Sequence, residues 1–267
     1  MTERLRVVIA SPLSVENADL LRRLEPRIEV VHDPELAGPP NRDWMVGFKR
    51  PPELQPAYEA YLDDADVLFG VPDQSGRALA RTVAANRRLR WVHTIPAGGG
   101  QQVRAANLSA EDLERIIFTT SAGVHAGPLA EFALFGVLAG AKQLPWMLEQ
   151  QAAHHWAERR VLQLLSDLTV AVVGLGSIGR MTAQKLSAMG CTVVGVHRRE
   201  VEAPGVSRIR PVAEFAAVAS EVDAIVMALP QTDATRNMLS AEVLAVVKPG
   251  VAVVNVGRGS TVDEPAL

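Results

Sequence analysis

The chain has 267 residues, 48% hydrophobic and 21% charged, the ordinary composition of a globular protein of one or two domains with a real core. A formal net charge of −3 argues against nucleic acid or an anionic membrane as the main partner. Met1-Thr-Glu-Arg-Leu-Arg leads straight into Val7-Val8-Ile9-Ala10, an apolar run too short for a secretion signal or a membrane span.

Leu5–Ala10 reads as a buried strand, and Ser14–Leu24 as a helix carrying Val15, Ala18, Leu21 and Leu24 on one side. Ile28–His32 returns as a second strand. Pro34, Pro39, Pro40, Pro51 and Pro52 then exclude helix and central strand between Asp33 and Pro52, which makes that stretch a long surface excursion. Val67–Gly70 and Leu89–Thr94 are further strands with a helix through Leu79, Ala80 and Val83 between them. The alternation predicts a parallel sheet. Ile95-Pro96-Ala97-Gly98-Gly99-Gly100 follows the later strand, either as a flexible turn or as a loop offering backbone N–H groups to a small anion. Ile116–Thr120 closes the first half.

Ser121–Gly127 is a glycine-punctuated hinge, which puts a domain boundary between residues 1–122 and 123–267. Pro128–Ala139 begins a mostly apolar helix with proline in its first turn. Without a polar face, that helix is expected to be buried on nearly all sides, at a domain junction or a subunit interface. Trp146–Asp167 is expected to be a polar helix covering the junction. Strand Thr169–Val173, helix Ile178–Met189 and strand Thr192–Val196 follow. The single cysteine, Cys191, cannot form an internal disulfide; it reads as a small buried hydrophobe and points to a reducing cytoplasm. The weaker Val206–Ile209 and Ala213–Ala219 come next, then strand Ala224–Ala228, a helix capped by Ser240 and ended by Pro249-Gly250, and strand Ala252–Asn255. The fold class is α/β, with a parallel sheet in each domain.

Val170-Ala-Val-Val-Gly174-Leu-Gly176-Ser-Ile-Gly179-Arg180 is a strand, a tight turn and a helix start. Gly174 permits the turn, Gly176 lets a pyrophosphate approach the backbone, and Gly179 lets the helix pack close to the strand; the free N–H groups of the new helix face the anion. Glycine-rich strand-to-helix turns also occur with no nucleotide. In an open parallel sheet the ligand lies beyond the carboxyl ends of the strands. Those ends carry Gly174–Gly179, His197-Arg198-Arg199, Leu229-Pro230-Gln231-Thr232 and Val256-Gly257-Arg258-Gly259. An acid about 20 positions past the glycines normally takes the ribose 2′-hydroxyl of NAD. Here the residue 18 positions on (197 minus 179) is His197, with Arg198 and Arg199 behind it. That pattern favours NADP over NAD, the other possibility being a solvated basic turn partnered by Glu200. Arg258, between two glycines after an apolar strand, is either a surface arginine or a bidentate fork for a 2-oxo carboxylate.

Taken together, Trp91-Val-His-Thr-Ile-Pro-Ala-Gly98, Val124-His-Ala-Gly-Pro-Leu-Ala-Glu131, Val173-Gly-Leu-Gly-Ser-Ile-Gly-Arg180, Ala228-Leu-Pro-Gln-Thr232 and Lys248-Pro-Gly…Val254-Asn-Val-Gly-Arg-Gly259 resemble the D-isomer-specific 2-hydroxyacid dehydrogenases, of the glyoxylate/hydroxypyruvate reductase or phosphoglycerate dehydrogenase kind. The resemblance implies a discontinuous flavodoxin-like substrate domain (residues 1–122), a Rossmann cofactor domain (residues 123–267) and a homodimer formed largely through the cofactor domains. It also implies hydride transfer between NADP or NAD and C2 of a small 2-oxo or 2-hydroxy acid, in a cleft between domains, with no metal. By the same resemblance Ser177 and Ile178 match the pyrophosphate-binding pair and His197 the ribose-reading position. Val256 and Arg258 match positions near the nicotinamide, and Leu229, Pro230 and Gly257 at the same strand ends are further cofactor-binding candidates. Arg258 also matches the catalytic arginine that orients the substrate carboxylate, and the Gly98-Gly99 backbone the loop that holds it.

Gly99-Gly100 stands where the family commonly has Val-Asp. The family's catalytic histidine and its carboxylate partner lie well downstream of the arginine, whereas this chain stops at Leu267. Arg258 cannot donate a proton at neutral pH. Of the histidines, His32, His93, His125, His154, His155 and His197, none is in the matching position; His93 and His125 face the expected cleft in structural or solvated roles. The chain is therefore expected to be a C-terminally truncated enzyme whose cofactor domain lacks its last strands, with little activity alone, exposed apolar surface and a tendency to aggregate. The alternative is a non-catalytic dinucleotide-binding or co-repressor-like protein of the same fold, against which the retained Arg258 counts.

Overall fold

Ten short runs of mainly β-branched residues form parallel strands, five in each of two sheets. The computed structural model describes residues 4–40, 48–98 and 100–267. The chain divides into two compact units, Met1–Ala122 and Gly123–Leu267.

In the first unit, β1 (Leu5–Ile9), β2 (Ile28–Val31), β3 (Val67–Phe69), β4 (Trp91–Thr94) and β5 (Ile117–Thr120) are ordered β2-β1-β3-β4-β5. Val8 and Ile9 are fully buried because helices cover both faces of the sheet. Tyr58, Leu62, Leu68, Leu79 and Val92 fill one face, while Val7, Ile9, Ala18 and Val30 fill the other. Helix α1 (Val15–Leu24) starts where the Ser14 side chain accepts the Asn17 N–H. Only Ala18 and Leu21 of its expected apolar side reach the core; Val15 and Leu24, at the two ends, stand mainly in solvent.

The proline-rich stretch is less irregular than its composition predicts. α2 (Pro34–Ala37) is a helical turn begun by Pro34 and capped by the Asp33 carboxylate, which accepts from the N–H groups of Glu35 and Leu36. A further turn at Pro52–Leu54 leads into α3 (Gln55–Asp63), again with proline in its first positions. Proline is excluded from helix interiors but suits the first turn, where its missing N–H has no partner to lose. Residues 41–47 of the expected excursion lie outside the described residues. The remaining helices of this unit are α4 (Gly76–Ala85), α5 (Gly100–Ala105) and α6 (Ala110–Arg115). Gly100 is thus a helix start and not part of a continued loop.

The second unit begins with α7 (Ala126–Ala141) and α8 (Leu144–Ala152). Its strands β6 (Thr169–Val173), β7 (Thr192–Val196), β8 (Arg208–Arg210), β9 (Ala224–Met227) and β10 (Ala252–Asn255) are ordered β10-β9-β6-β7-β8. Three helices accompany them: α9 (Ser177–Ala188), α10 (Phe215–Glu221) and α11 (Ala241–Leu244). Successive residues of β6 point to opposite faces. Val170 and Val172 pack with Leu186, Val226 and Val254; Ala171 and Val173 pack with Val194, Phe215 and Met227. Ser240 caps α11 as expected, but α11 ends after Leu244, well before Pro249.

Two expectations for α7 and α8 change. α7 starts two residues before Pro128, which occupies a first-turn position whose N–H has no intrahelical partner. Within the single chain it is buried on one side. Ala126, Ala130, Ala133, Val137 and Ala141 are buried, the last three in the core with the sheet, and Gly136 and Gly140 bring the helix so close to β10 that an added Cβ would lie 2.7 Å from Val254 and Ala252. Phe132 and Phe135, 59% and 55% exposed, form an apolar outer face. The small residues take the inner side because only they allow that approach. The helix expected over Trp146–Asp167 ends at Ala152: His154 has the left-handed φ of 50°, and the chain runs irregularly to a turn at Leu165–Asp167. Trp156 and Val161 there are 98% and 96% exposed, so no apolar stripe supports a helix.

Candidate functional site

Parallel strands align their carboxyl ends, so the loops after β10, β9, β6, β7 and β8 lie in that order along one edge of the second sheet. At the centre, the three glycines of the β6–α9 turn meet three different constraints. Gly174 has φ +98°, and a Cβ there would lie 2.7 Å from the Ala228 carbonyl oxygen. At Gly179 it would lie 1.8 Å from the Gly174 oxygen, which ties α9 to the end of β6. At Gly176 it would meet nothing within 4 Å. The turn therefore keeps open space over Gly176 and closes its other two glycines against backbone. α9 begins at Ser177 with no side chain capping its first turn, so its N–H groups and the positive end of its dipole remain for an anion. Ser177 is exposed and Ile178 half-buried at this helix start.

His197 follows β7 and turns back onto the glycine turn: its Nδ1 accepts the Leu175 N–H at 3.3 Å. The Leu175 carbonyl accepts from Arg180 Nε at 2.9 Å. Burial, then the charges of Arg198, Arg180 and Arg199, hold the imidazole below its usual pKa. Arg198 and Arg199 are exposed, and among the described residues neither lies within ion-pair distance of a carboxylate, Glu200 included. With His197, Arg208 and Ile209 they line a cavity of about 550 Å³. Arg208 is itself paired with Glu221 at 2.8 Å.

On the other side of the turn, the loops after β9 and β10 pack backbone to backbone. A Cβ at Gly257 would lie 2.5 Å from the Leu229 oxygen, so only glycine lets these loops meet. Pro230 is exposed and its carbonyl accepts from Thr235 Oγ1 at 2.6 Å. Val256 is buried. Arg258 is exposed, with Nη1 donating to the Gly257 carbonyl at 3.0 Å. Its backbone is held by Asn255 and Thr261, to which the sequence reading assigned no role. Asn255 Oδ1 accepts the Gly257 N–H at 2.9 Å, Asn255 Nδ2 donates to the Arg258 carbonyl at 3.0 Å, and Thr261 Oγ1 donates to that same carbonyl at 2.7 Å. An asparagine closing a strand two residues ahead of a glycine is the signal that could have found this turn.

In the first unit, the Gly98 carbonyl accepts from Gln101 N at 3.2 Å beside the start of α5, and Gly99 lies outside the described residues. His93 has both ring nitrogens engaged, Nδ1 with Thr119 Oγ1 at 2.9 Å and Nε2 with Ser121 Oγ at 3.1 Å; burial lowers its pKa. Phe69 stacks on it at 5.6 Å between centroids. His125, His154 and His155 are exposed, and His32 is half-buried. Among the described residues no histidine is within ion-pair distance of a carboxylate, and no group of three or more His, Cys, Asp or Glu could hold a metal ion.

The sequence pattern of the D-isomer specific 2-hydroxyacid dehydrogenase NAD binding domain matches residues 134–267. A D-3-phosphoglycerate dehydrogenase of Mycobacterium tuberculosis is 32% identical over 153 residues, 57% of this chain and 29% of that protein; the chain thus spans under a third of it. An uncharacterized Streptomyces coelicolor protein is 32% identical over 203 residues, 74% of this chain and 70% of the relative. The crystal structure of a D-isomer specific 2-hydroxyacid dehydrogenase family protein from Aeromonas salmonicida shares the fold with a TM-score of 0.75 at 22% identity, covering 99% of this chain and 76% of that one. Among the described residues no helix is long and apolar enough to cross a membrane.

Proposed function

The chain belongs to the D-isomer specific 2-hydroxyacid dehydrogenase family, and on that premise we propose that it binds a nicotinamide dinucleotide, NADP in preference to NAD, for hydride transfer at C2 of a small 2-oxo or 2-hydroxy acid. The observation that carries this is the glycine turn, which leaves space over Gly176 while Gly174 and Gly179 close against backbone. Those residues fit a pyrophosphate: it would take the uncapped start of α9 at Ser177 and Ile178. The adenosine end would reach His197, Arg198 and Arg199, and the nicotinamide end Leu229, Pro230, Val256, Gly257 and Arg258. Arg198 and Arg199, neither within ion-pair distance of the Glu200 that lines the same cavity, support a 2′-phosphate.

When bound, the nicotinamide supplies or accepts the hydride. Arg258 remains cationic and offers a fork to the substrate carboxylate. It cannot supply the proton that a developing alkoxide needs, and His93, neutral and bonded at both nitrogens, does not either. The 267-residue chain alone should therefore turn over little, which also leaves a binder without catalysis as the second reading. We assign Met1–Ala122 to the substrate and Gly123–Leu267 to the cofactor. A homodimer is supported by the outer face of α7, where Phe132 and Phe135 are uncovered. A reducing cytoplasm is supported by Cys191, buried with no disulfide.

The test is the Kd of NADPH and NADH, with Gly176→Ala as control. That substitution adds a methyl in open space at an ordinary φ of −73°, so the thermal midpoint should hold while nucleotide affinity drops about tenfold or more. Equal affinity in wild type and variant would overturn the site, a clear preference for NADH would overturn the NADP assignment, and rapid turnover of glyoxylate or hydroxypyruvate with NADPH would overturn the low activity.

A further inference from the structure

Building on the dinucleotide site above, we propose that His197 and Arg180 are positioning residues that hold the two peptide groups flanking Leu175, and that this hold commits the His197 ring to the tautomer with its proton on Nε2. A 2′-phosphate is then offered a donor where an acid would offer an acceptor.

Leu175 is the middle residue of Gly174-Leu175-Gly176, and its two peptide groups set where Gly176 presents its open side. Each is gripped separately. The N–H goes to His197 Nδ1 at 3.3 Å and the carbonyl to Arg180 Nε at 2.9 Å. The Leu175 side chain is buried and packs against Gly195 of β7, where a Cβ would lie 2.8 Å from it. The Gly174 N–H bonds the Val196 carbonyl at 2.9 Å, so the turn is fastened to the strand that delivers His197. A turn held before the ligand arrives loses less conformational freedom on binding.

The tautomer follows from the partner. A backbone N–H only donates, so Nδ1 must accept, and in a neutral imidazole the proton then sits on Nε2. Burial and the neighbouring charges, Arg180 on α9 and Arg198 and Arg199 on its own strand end, keep the ring neutral at pH 7. His197 lines the cavity it shares with Arg198, Arg199, Glu200 and Arg208, so its donor stands among three arginines and one carboxylate. The two grips have different consequences. The one from Arg180 supports the pyrophosphate turn for any dinucleotide; the one from His197 also sets what is offered at the ribose.

Two measurements on the full 267-residue chain separate these roles. Long-range ¹H–¹⁵N correlation of the histidine rings, with His197→Gln to assign the signal, should show the Nε2–H form with Nδ1 as acceptor. A mixture of tautomers, or Nδ1–H, overturns the proposal. Binding of NADPH, NADH and 2′,5′-ADP is then compared across wild type, His197→Asp and Arg180→Ala, with thermal melts to check folding. His197→Asp keeps an acceptor for the Leu175 N–H, so it should stay folded. It should lose NADPH and 2′,5′-ADP affinity by about tenfold while holding or improving NADH. Arg180→Ala should weaken NADPH and NADH together, by about threefold to tenfold. An unchanged NADPH-to-NADH ratio in His197→Asp, or unchanged affinity in Arg180→Ala, overturns the positioning roles while the site itself stands. A wild type that binds neither nucleotide overturns the dinucleotide site and, with it, the role of His197 at the ribose.

Discussion

Gly176 and Gly179 stand three residues apart in one motif and answer to different physics. A side chain at Gly176 would enter space that a ligand can use, whereas one at Gly179 would lie 1.8 Å from the Gly174 oxygen. Gly179→Ala should therefore lower stability by about 1–3 kcal/mol in urea unfolding, the usual range for overpacking, with nucleotide present or absent. His93 and His197 make a second residue-scale case. Both are held below the ordinary histidine pKa, chiefly by burial, so the folded chain keeps them neutral while the unfolded chain protonates them near pH 6.5. Stability should be full above about pH 6.5, fall as the pH drops below it toward the folded values, and level off beneath those. Denaturant titrations at pH 7.5 and 5.5 check this, and a His93→Gln, His197→Gln double variant should lose less over that interval than wild type. The positions of Gly174, Gly176, Gly179 and His197 were legible in the sequence, because glycine spacing and strand ends are local patterns. The bond from Leu175 to His197 was not, since it joins residues 22 apart through the β6–β7 pairing.

At the level of elements, α7 and the loop after β10 are instructive. An apolar run over α7 predicts burial but cannot say on how many sides. Small residues at Ala130, Ala133, Gly136, Val137 and Gly140 face inward, and the phenylalanines are left outside. The volume of each residue, read around the helix, carries information that the apolar character of the run as a whole lacks. The proline-rich stretch misled for a related reason, because a proline's meaning depends on whether it opens a turn or interrupts one. In the loop after β10, Asn255 links the Gly257 N–H to the Arg258 carbonyl. Asn255→Ala should cost about 1–2 kcal/mol by denaturant unfolding without changing the far-ultraviolet circular dichroism, since hydrogen bonds of a turn are lost and no strand is.

For the whole molecule, the outer face of α7 leads to a prediction about assembly. Phe132 and Phe135 lie 6.3 Å apart between ring centroids and remain largely exposed in the single chain. Replacing both with serine should shift sedimentation toward monomer and leave the melting temperature nearly unchanged, as neither ring belongs to the core; unchanged self-association would remove α7 as the contact. The sequence by itself determined the α/β class, the parallel strands and the residues at their carboxyl ends. Those depend on period, turn chemistry and the rule that parallel strands point the same way. Only the tertiary structure decided which face of α7 is inward, that Asn255 and Thr261 hold Arg258, and that His197 and Arg180 grip the glycine turn. Each of these depends on the distance between groups brought together by packing, and no spacing along the chain encodes that distance.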